Sequence, residues 1–317
     1  MSNSKKQEPT SKPAVAEPCV SEGGERISRD RVIQAINALN AHDTSSSGSS
    51  WDGYCPSGLS FEKEPKKKKL PLPEDKLLDG LKDEADKLER HTITNETTFP
   101  WCTIGKIYAG KDADFSNPLW MGSGVLVGRN LLLTAGHVAP WGLNRPWMKF
   151  IPAFESRAEP FGAAYVLNWY GYRRDGDVHG KDYVICKLNT NIGDQCGWLG
   201  YQWWSGQDNQ YTDRIWTSVG YPAEPANPGG MYMLVEDNVG IVDVDDEGAD
   251  GKELESNVFS LGGWSGGPLW GYIGGQSRVI GVLSGQETDL LQPRHTVSAG
   301  GKAMGELIIY GQTNFLP

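Results

Sequence analysis

Apolar positions along most of this chain fall into short runs divided by clusters of Gly, Pro, Asn and Asp. The runs include "FPWCTIGKIYAG", "GSGVLVGRNLLLTAG", "AAYVLNWYGY", "KDYVICKLN", "DRIWTSVGYP", "MYMLVEDNVGIVDVD", "NVFSLGGWSGGPLWGYIG" and "SRVIGVLSG". All are rich in Val, Ile, Tyr and Trp. That spacing predicts the strands of an all-β sandwich or a pair of barrels. After residue 91, only "KAMGELIIY" has a helical pattern. No fixed period marks a repeat.

The first ninety residues have a different texture. "SKKQEPTSKPAVAEP" is polar and Pro-bearing, a composition that resists packing. Ile27, Val32, Ile36 and Leu39 stand near helical spacing, with Ser28 or Asp30 as caps. "DTSSSGSS" reads as a linker. Leu77, Leu78, Leu81 and Leu88 share one helix face, with acids in the first turn. Such a face has to lie on something, and the domain that follows is the nearest surface. "PKKKK", Pro65 to Lys69, reads as a solvated linker in preference to a nuclear-import signal. Residues 1–91 are therefore expected to be an N-terminal extension, partly helical or disordered.

Composition narrows the function. A net charge of −10 argues against nucleic-acid binding, which wants a basic face. No apolar run is long enough to span a membrane, and the N-terminus has no apolar signal core. Cys19, Cys55, Cys102, Cys186 and Cys196 are scattered without metal spacing. Free thiols and a cytoplasmic or otherwise intracellular setting are expected, with a Cys186–Cys196 bridge in an exported form as the alternative. Asn95-Glu96-Thr97 is a glycosylation sequon that matters only on export.

Candidate chemistry begins at "NLLLTAGHVAP", where a buried-looking strand ends on His137. An imidazole there must satisfy two ring nitrogens. "GGWSGGPLW" offers Ser265 flanked by glycines, a tight turn whose Gly263 and Ser265 N–H groups can converge on an oxyanion. "GKDYVICKL" offers Asp182 at the head of an apolar strand, to hold His137 in one tautomer. The order His137, Asp182, Ser265 is one known arrangement of a Ser-His-Asp triad. Asp175, Asp177 and His179 in "RRDGDVHG" read as a solvated turn in preference to a metal site. Neither metal nor cofactor is expected.

"SGVLVGRNLLLTAGHV", "KDYVICKL", "GWSGGPLW" and "VIGVLSG", in this order, resemble the four hallmark segments of chymotrypsin-like serine peptidases. The lead-in "ERHTITNETTFPWCTIGKI" resembles the start of the mature domain in the V8-like, glutamyl-endopeptidase branch, so the similarity runs over about 92–317. The resemblance implies two packed antiparallel β-barrels, 92–205 carrying His137 and Asp182 and 206–317 carrying Ser265, with a short C-terminal helix. It implies that His137 is the general base, Asp182 its orienter and Ser265 the nucleophile, with Gly263 and Ser265 forming the oxyanion hole. Ser284 stands where the family hydrogen-bonds the catalytic Asp, and Ser284-Gly285-Gln286 stands where it pairs with substrate backbone.

Two departures matter. Trp264 precedes the nucleophile where animal digestive enzymes carry an Asp that captures a new N-terminus, so that activation route is not expected. The V8-like branch lacks that Asp too. Phe259 falls where trypsin-type enzymes hold an acid, which disfavours Lys and Arg before the cut. Leu283 falls where the Glu-specific branch has a His, although Ser260 and His295 could line the pocket. The expected activity is that of a serine endopeptidase on polypeptide substrates, a monomer. The alternative is a protease-fold binding protein without turnover.

Overall fold

The computed structural model describes residues 19–20, 48–68, 90–172, 178–224, 227–248, 250–258, 260–287 and 295–315. The helices expected near 27–39 and 74–89, and Asp175, Asp177 and Phe259, lie outside the described residues.

Four short strands lead the chain: β1 (Cys19–Val20), β2 (Ser49–Trp51), β3 (Lys67–Lys68) and β4 (Arg90–Ile93). The first barrel follows: β5 (Ile104–Gly110), β6 (Trp120–Gly128), β7 (Leu131–Thr134), β8 (Trp147–Pro152), β9 (Ala164–Gly171) and β10 (Val184–Leu188). A short helix α1 (Gly193–Cys196), strand β11 (Gly200–Trp203) and helix α2 (Asn209–Thr212) form the crossing. The second barrel comprises β12 (Ile215–Gly220), β13 (Leu234–Glu247), β14 (Gly251–Ser256), β15 (Pro268–Ile273), β16 (Gln276–Glu287) and β17 (His295–Gly300). Helix α3 (Lys302–Asn314) ends the described chain, as the helical pattern predicts.

Both six-stranded sheets are antiparallel and closed. The first runs β9-β10-β7-β6-β5-β8, with β8 pairing back to β9. The second runs β12-β15-β16-β17-β14-β13, with β13 pairing back to β12. Strand β7 shows why this sequence closes a barrel. All four residues of "LLLT" are buried, with β6 on one edge and β10 on the other. A strand covered on both faces reads as a continuous apolar run instead of an alternation.

Some elements cross between the halves. Strand β4 pairs with β13 and β11 pairs with β16, while α3 packs against β7, β9 and β10. The Asn130 side chain donates to the Phe315 carbonyl at 3.1 Å, which holds the end of α3 on the first barrel.

Residues 48–68 belong to the same fold. Strand β2 pairs with β11 and β3 with β4. The buried indole of Trp101 donates to the Glu62 carbonyl at 2.8 Å. Asn95 is 4% exposed and its amide donates to Glu62 and to the Glu64 carbonyl, so the sequon asparagine is already engaged inside the fold. Within the Lys run, Lys67 and Lys68 form the paired strand β3, and Lys66 bonds Glu62, Lys67 Asp237 and Lys68 Glu155. Within the expected N-terminal extension, β2 and β3 are thus strand-paired to the rest of the fold.

Cys55, Cys102, Cys186 and Cys196 are free thiols, so the Cys186–Cys196 bridge is not formed. Burial pushes the Cys196 thiol up to about 12 and Cys186 above the ordinary thiol range. No helix among the described residues is long and apolar enough to cross a membrane.

Candidate active site

His137 follows β7 in a single 3-10 turn, Gly136–Val138. Its neighbours Ala135 and Val138 are buried, so the turn is anchored in the core while the imidazole stays 36% exposed. Asp182 lies just before β10 and is fully buried. β10 pairs with β7 in the register Val184–Thr134, and this brings the two residues together across the sheet end. The Asp182 carboxylate takes the His137 backbone N–H on Oδ1 at 2.9 Å and lies 2.6 Å from His137 Nδ1 on Oδ2. A carboxylate acceptor leaves the proton on Nδ1 and frees Nε2 to act as a base.

A third group completes the carboxylate's shell. Ser284 Oγ donates to Asp182 Oδ2 at 2.7 Å. Two donors therefore converge on one oxygen, which makes a buried carboxylate tolerable. Removal from water works against a charged His137, but the Asp182 hydrogen bond and charge together outweigh it. The His137 pKa is held above its ordinary value.

Ser265 sits half-buried in the turn before β15. Two glycines fix that turn. Gly266 has φ +80°, and a Cβ there would lie 2.0 Å from Thr134 Oγ1 and 2.7 Å from the Ala135 nitrogen. Gly263 has φ +100°, and a Cβ would lie 2.6 Å from the Tyr221 carbonyl. Only glycine suits both conformations and both close approaches. The serine loop is thereby docked on the segment that leads into His137.

Ser123 on β6 ties the loop down. Its Oγ donates to the Gly263 carbonyl and accepts the Tyr221 N–H, both at 2.8 Å. Its N–H donates to the Ser265 carbonyl at 2.8 Å. The Gly262 carbonyl accepts from Ala223 N–H at 2.8 Å, which fixes the Gly262–Gly263 peptide plane and turns the Gly263 N–H away from Ala223. The Gly263 and Ser265 N–H groups donate to no acceptor among the described residues. His137 makes no hydrogen bond to Ser265 Oγ.

Trp264 is fully buried in a cluster with Leu234 and Leu283. The missing side chain of Gly220 leaves the room, since a Cβ there would come 2.4 Å from the indole. Where digestive enzymes place an ion pair, this chain therefore packs a ring.

Behind the loop lies Lys106, fully buried on β5. Its ammonium donates to the carbonyls of Gly229 and Gly230 and lies 4.7 and 4.8 Å from the rings of Tyr108 and Phe154. Desolvation without a carboxylate partner brings its pKa down to about 8. The Gly230 backbone in turn abuts the Tyr221 carbonyl.

Leu283 exchanges backbone hydrogen bonds with Gly266 and Gly267, and beyond it Gly285 and Gln286 have strand pairing with β17 alone among the described residues. Gln286 pairs with Thr296 and Leu283 with Ser298, so these two share a face, while the bulge between Leu283 and Gly285 takes Ser284 out of that alternation. Ser260 is buried at 8% exposure beside this region. His295 is in register with Glu287, on the opposite face from Thr296, and bonds Glu255 at 2.7 Å. It is therefore on the opposite face from Gln286 and on the face of Gly285.

Sequence reasoning passed over Ser123, whose signal was a polar residue inside an apolar strand. It also passed over Glu247, which bonds His179 at 2.8 Å.

Among solved structures, a thermostable serine protease, AL20, from an extremophilic microorganism superposes with a TM-score of 0.52 and 19% identity, over 67% of this chain and 98% of that one. A Glu endopeptidase in complex with MPD superposes with a TM-score of 0.55 and 18% identity, over 71% of this chain and 97% of that one. The fold is that of the chymotrypsin-like serine proteases. At these identities the likeness speaks for the fold, and the chemistry has to be argued from the side chains. No family model matches the chain, and no curated protein matches it in sequence. Within a chymotrypsin-like fold, the cleft between the two barrels is where a site is expected, and His137, Asp182, Ser284 and the Ser265 loop come together there.

Proposed function

We propose that this chain is a serine endopeptidase that cuts polypeptides through an acyl-enzyme. The observation that carries the reading is the His137–Asp182–Ser284 network, with the glycine-framed Ser265 loop docked on the segment before His137. Ser265 Oγ attacks the scissile carbonyl carbon as His137 Nε2 takes its proton. The oxyanion that forms is met by the unclaimed N–H groups of Gly263 and Ser265. Collapse breaks the C–N bond, and the imidazolium returns its proton to the leaving amine. Water, deprotonated by His137, then attacks the acyl-serine and releases the acid. Asp182 keeps the imidazole in its Nδ1–H tautomer throughout.

The edge of Gly285 and Gln286 that is unpaired among the described residues supports substrate binding by strand addition. Phe259, Ser260 and His295 are the proposed pocket residues, and Ser284, Gly285 and Gln286 the proposed partner of the substrate backbone. The residue before the cut is acidic or uncharged and apolar, and cleavage after Lys or Arg is disfavoured. The reading is tested with a serine-directed fluorophosphonate and a peptide library on the full chain. Labelling should map to Ser265, and Ser265→Ala should lose turnover by several orders of magnitude. Full turnover by Ser265→Ala would sink the mechanism. A profile dominated by Lys or Arg would sink the pocket assignment alone.

A further inference from the structure

We infer that His179 is a positioning residue for Asp182, an inference that rests on the triad reading above. His179 lies three residues before Asp182 and is buried at 8% exposure. Its ring Nδ1 accepts the Lys181 N–H at 3.0 Å, and its carbonyl accepts the Asp182 N–H at 3.1 Å. With Nδ1 an acceptor, the ring proton is on Nε2. That N–H donates to Glu247 Oε1 at 2.8 Å. The ring thus closes the turn behind Asp182 and, with its other nitrogen, reaches across to the second barrel.

The remaining contacts of the turn point to the same barrel. The His179 N–H donates to Ser284 Oγ at 3.2 Å, and the Gly180 N–H donates to Glu253 Oε1 at 3.0 Å. Val178 fills the space above Gly285, where a Cβ would come 2.9 Å from its methyl group. Glu247 and Glu253 stand on β13 and β14, and Ser284 and Gly285 on β16. The loop that carries the first barrel's acid is held in place by the second.

This matters for chemistry because Ser284 Oγ is shared. It accepts from His179 and donates to Asp182 Oδ2, the oxygen that also meets His137 Nδ1. A shift of His179 moves a donor on the very oxygen that orients the base. Displacements of about 1 Å in such a constellation can cost about 100-fold in rate.

The variants separate the two ring nitrogens. His179→Leu removes both bonds. His179→Asn restores an acceptor for the N–H two residues on, as Asx turns do, but does not reach Glu247. Glu247→Ala removes only the inter-barrel acceptor, and Glu247→Gln keeps one. Two readouts are taken on the full chain: kcat and KM on a peptide substrate, and the downfield proton resonance and titration of the His137 ring by NMR.

For His179→Leu we expect kcat to fall about tenfold or more with KM little changed. The His137 resonance should shift or broaden. His179→Asn should recover part of that loss, Glu247→Ala should lose less than His179→Leu, and Glu247→Gln should stay near wild type. If His179→Leu does not fold, Glu247→Ala carries the test with both readouts. Wild-type kcat and an unmoved His137 resonance in the folded variants would overturn the positioning role and leave the triad reading intact. If the wild type neither labels at Ser265 nor turns over, the triad reading fails. The His137 resonance then still decides whether His179 positions the pair.

Discussion

Ser284 and Asp182 stand on different barrels and share a 2.7 Å hydrogen bond. The bond makes the acid of one barrel depend on a strand of the other. Ser284 is 5% exposed and Asp182 fully buried, so water is poorly placed to substitute. A hydrogen bond to a buried charge is worth about 1.5–3 kcal/mol. Ser284→Ala should therefore lower kcat/KM about tenfold, with the fluorophosphonate still reaching Ser265. Steady-state kinetics with a labelling control checks it.

The pH profile should carry the mark of Asp182. His137 must be neutral to take a proton, and its pKa is held above the ordinary value. The acid limb of kcat/KM should thus lie above the ordinary histidine pKa. Asp182→Asn removes the hydrogen bond and charge that raise the pKa and leaves the desolvation that lowers it. The acid limb should move to lower pH while the maximal rate falls about 10⁴-fold. An acid limb that stays in place in a folded Asp182→Asn protein would mean that another group governs it.

Lys106 makes a separate, stability-linked prediction. Its pKa in the fold is about 8, down from 10.5. Between those values the unfolded chain binds more protons than the folded one, so this group raises stability as pH climbs from 8 to 10.5. Below pH 8 the charged amine is buried at full cost. Lys106→Met should abolish that part of the alkaline gain, up to about 3 kcal/mol. The two proteins' denaturation midpoints at about pH 7 and about pH 10 give the difference directly.

Trp264 should be a stability residue with a functional shadow. It is fully buried against Leu234 and Leu283. Trp264→Ala should cost about 3–5 kcal/mol. Trp264→Asp, the residue of the digestive enzymes at this place, should fare worse, because it would put a charge into the fully buried apolar space between Leu234 and Leu283. Chemical denaturation of the three proteins gives the ranking.

How much of this was legible in the chain depends on the range of the interaction. The His137, Asp182 and Ser265 segments read clearly because each couples an apolar strand to a polar end, and that pattern is local. The strands themselves read well for the same reason. Ser284 was legible only through the family resemblance, since nothing local requires a serine there. His179 read as part of a solvated turn. Its meaning comes from Glu247, 68 positions away on a hairpin whose exposed acids look like ordinary surface. The role of residues 48–68 was hidden for a similar reason. Strands of two or three residues leave no periodicity, and their partners β4 and β11 are only four residues long.

The N-terminal segment supplies the last prediction. A chain beginning at Glu89 would resemble the mature start of V8-like enzymes, but here it would strip real contacts. Strands β2 and β3 would leave β11 and β4 with bare edges. The Trp101 indole N–H would lose the Glu62 carbonyl, and the Asn95 amide would lose Glu62 and Glu64. Trp101 and Asn95 are buried, and each unpaired buried group costs about 1–3 kcal/mol. We expect a protein starting at Gly48, which loses only the two-residue pairing of β1 with β9 among the described contacts, to melt close to the full chain, and one starting at Glu89 to melt well below it or to aggregate. Calorimetry on the three proteins compares them. Turnover by the protein starting at Gly48 then separates two roles for residues 1–47. A rise over the full chain marks an inhibitory arm, because β2 and β3 remain in place. Equal turnover assigns those residues to something other than control of the cleft. If the protein starting at Glu89 melts like the full chain, the strand pairings of residues 48–68 contribute nothing to the fold's stability, and the processed form of this chain can begin where the resemblance begins.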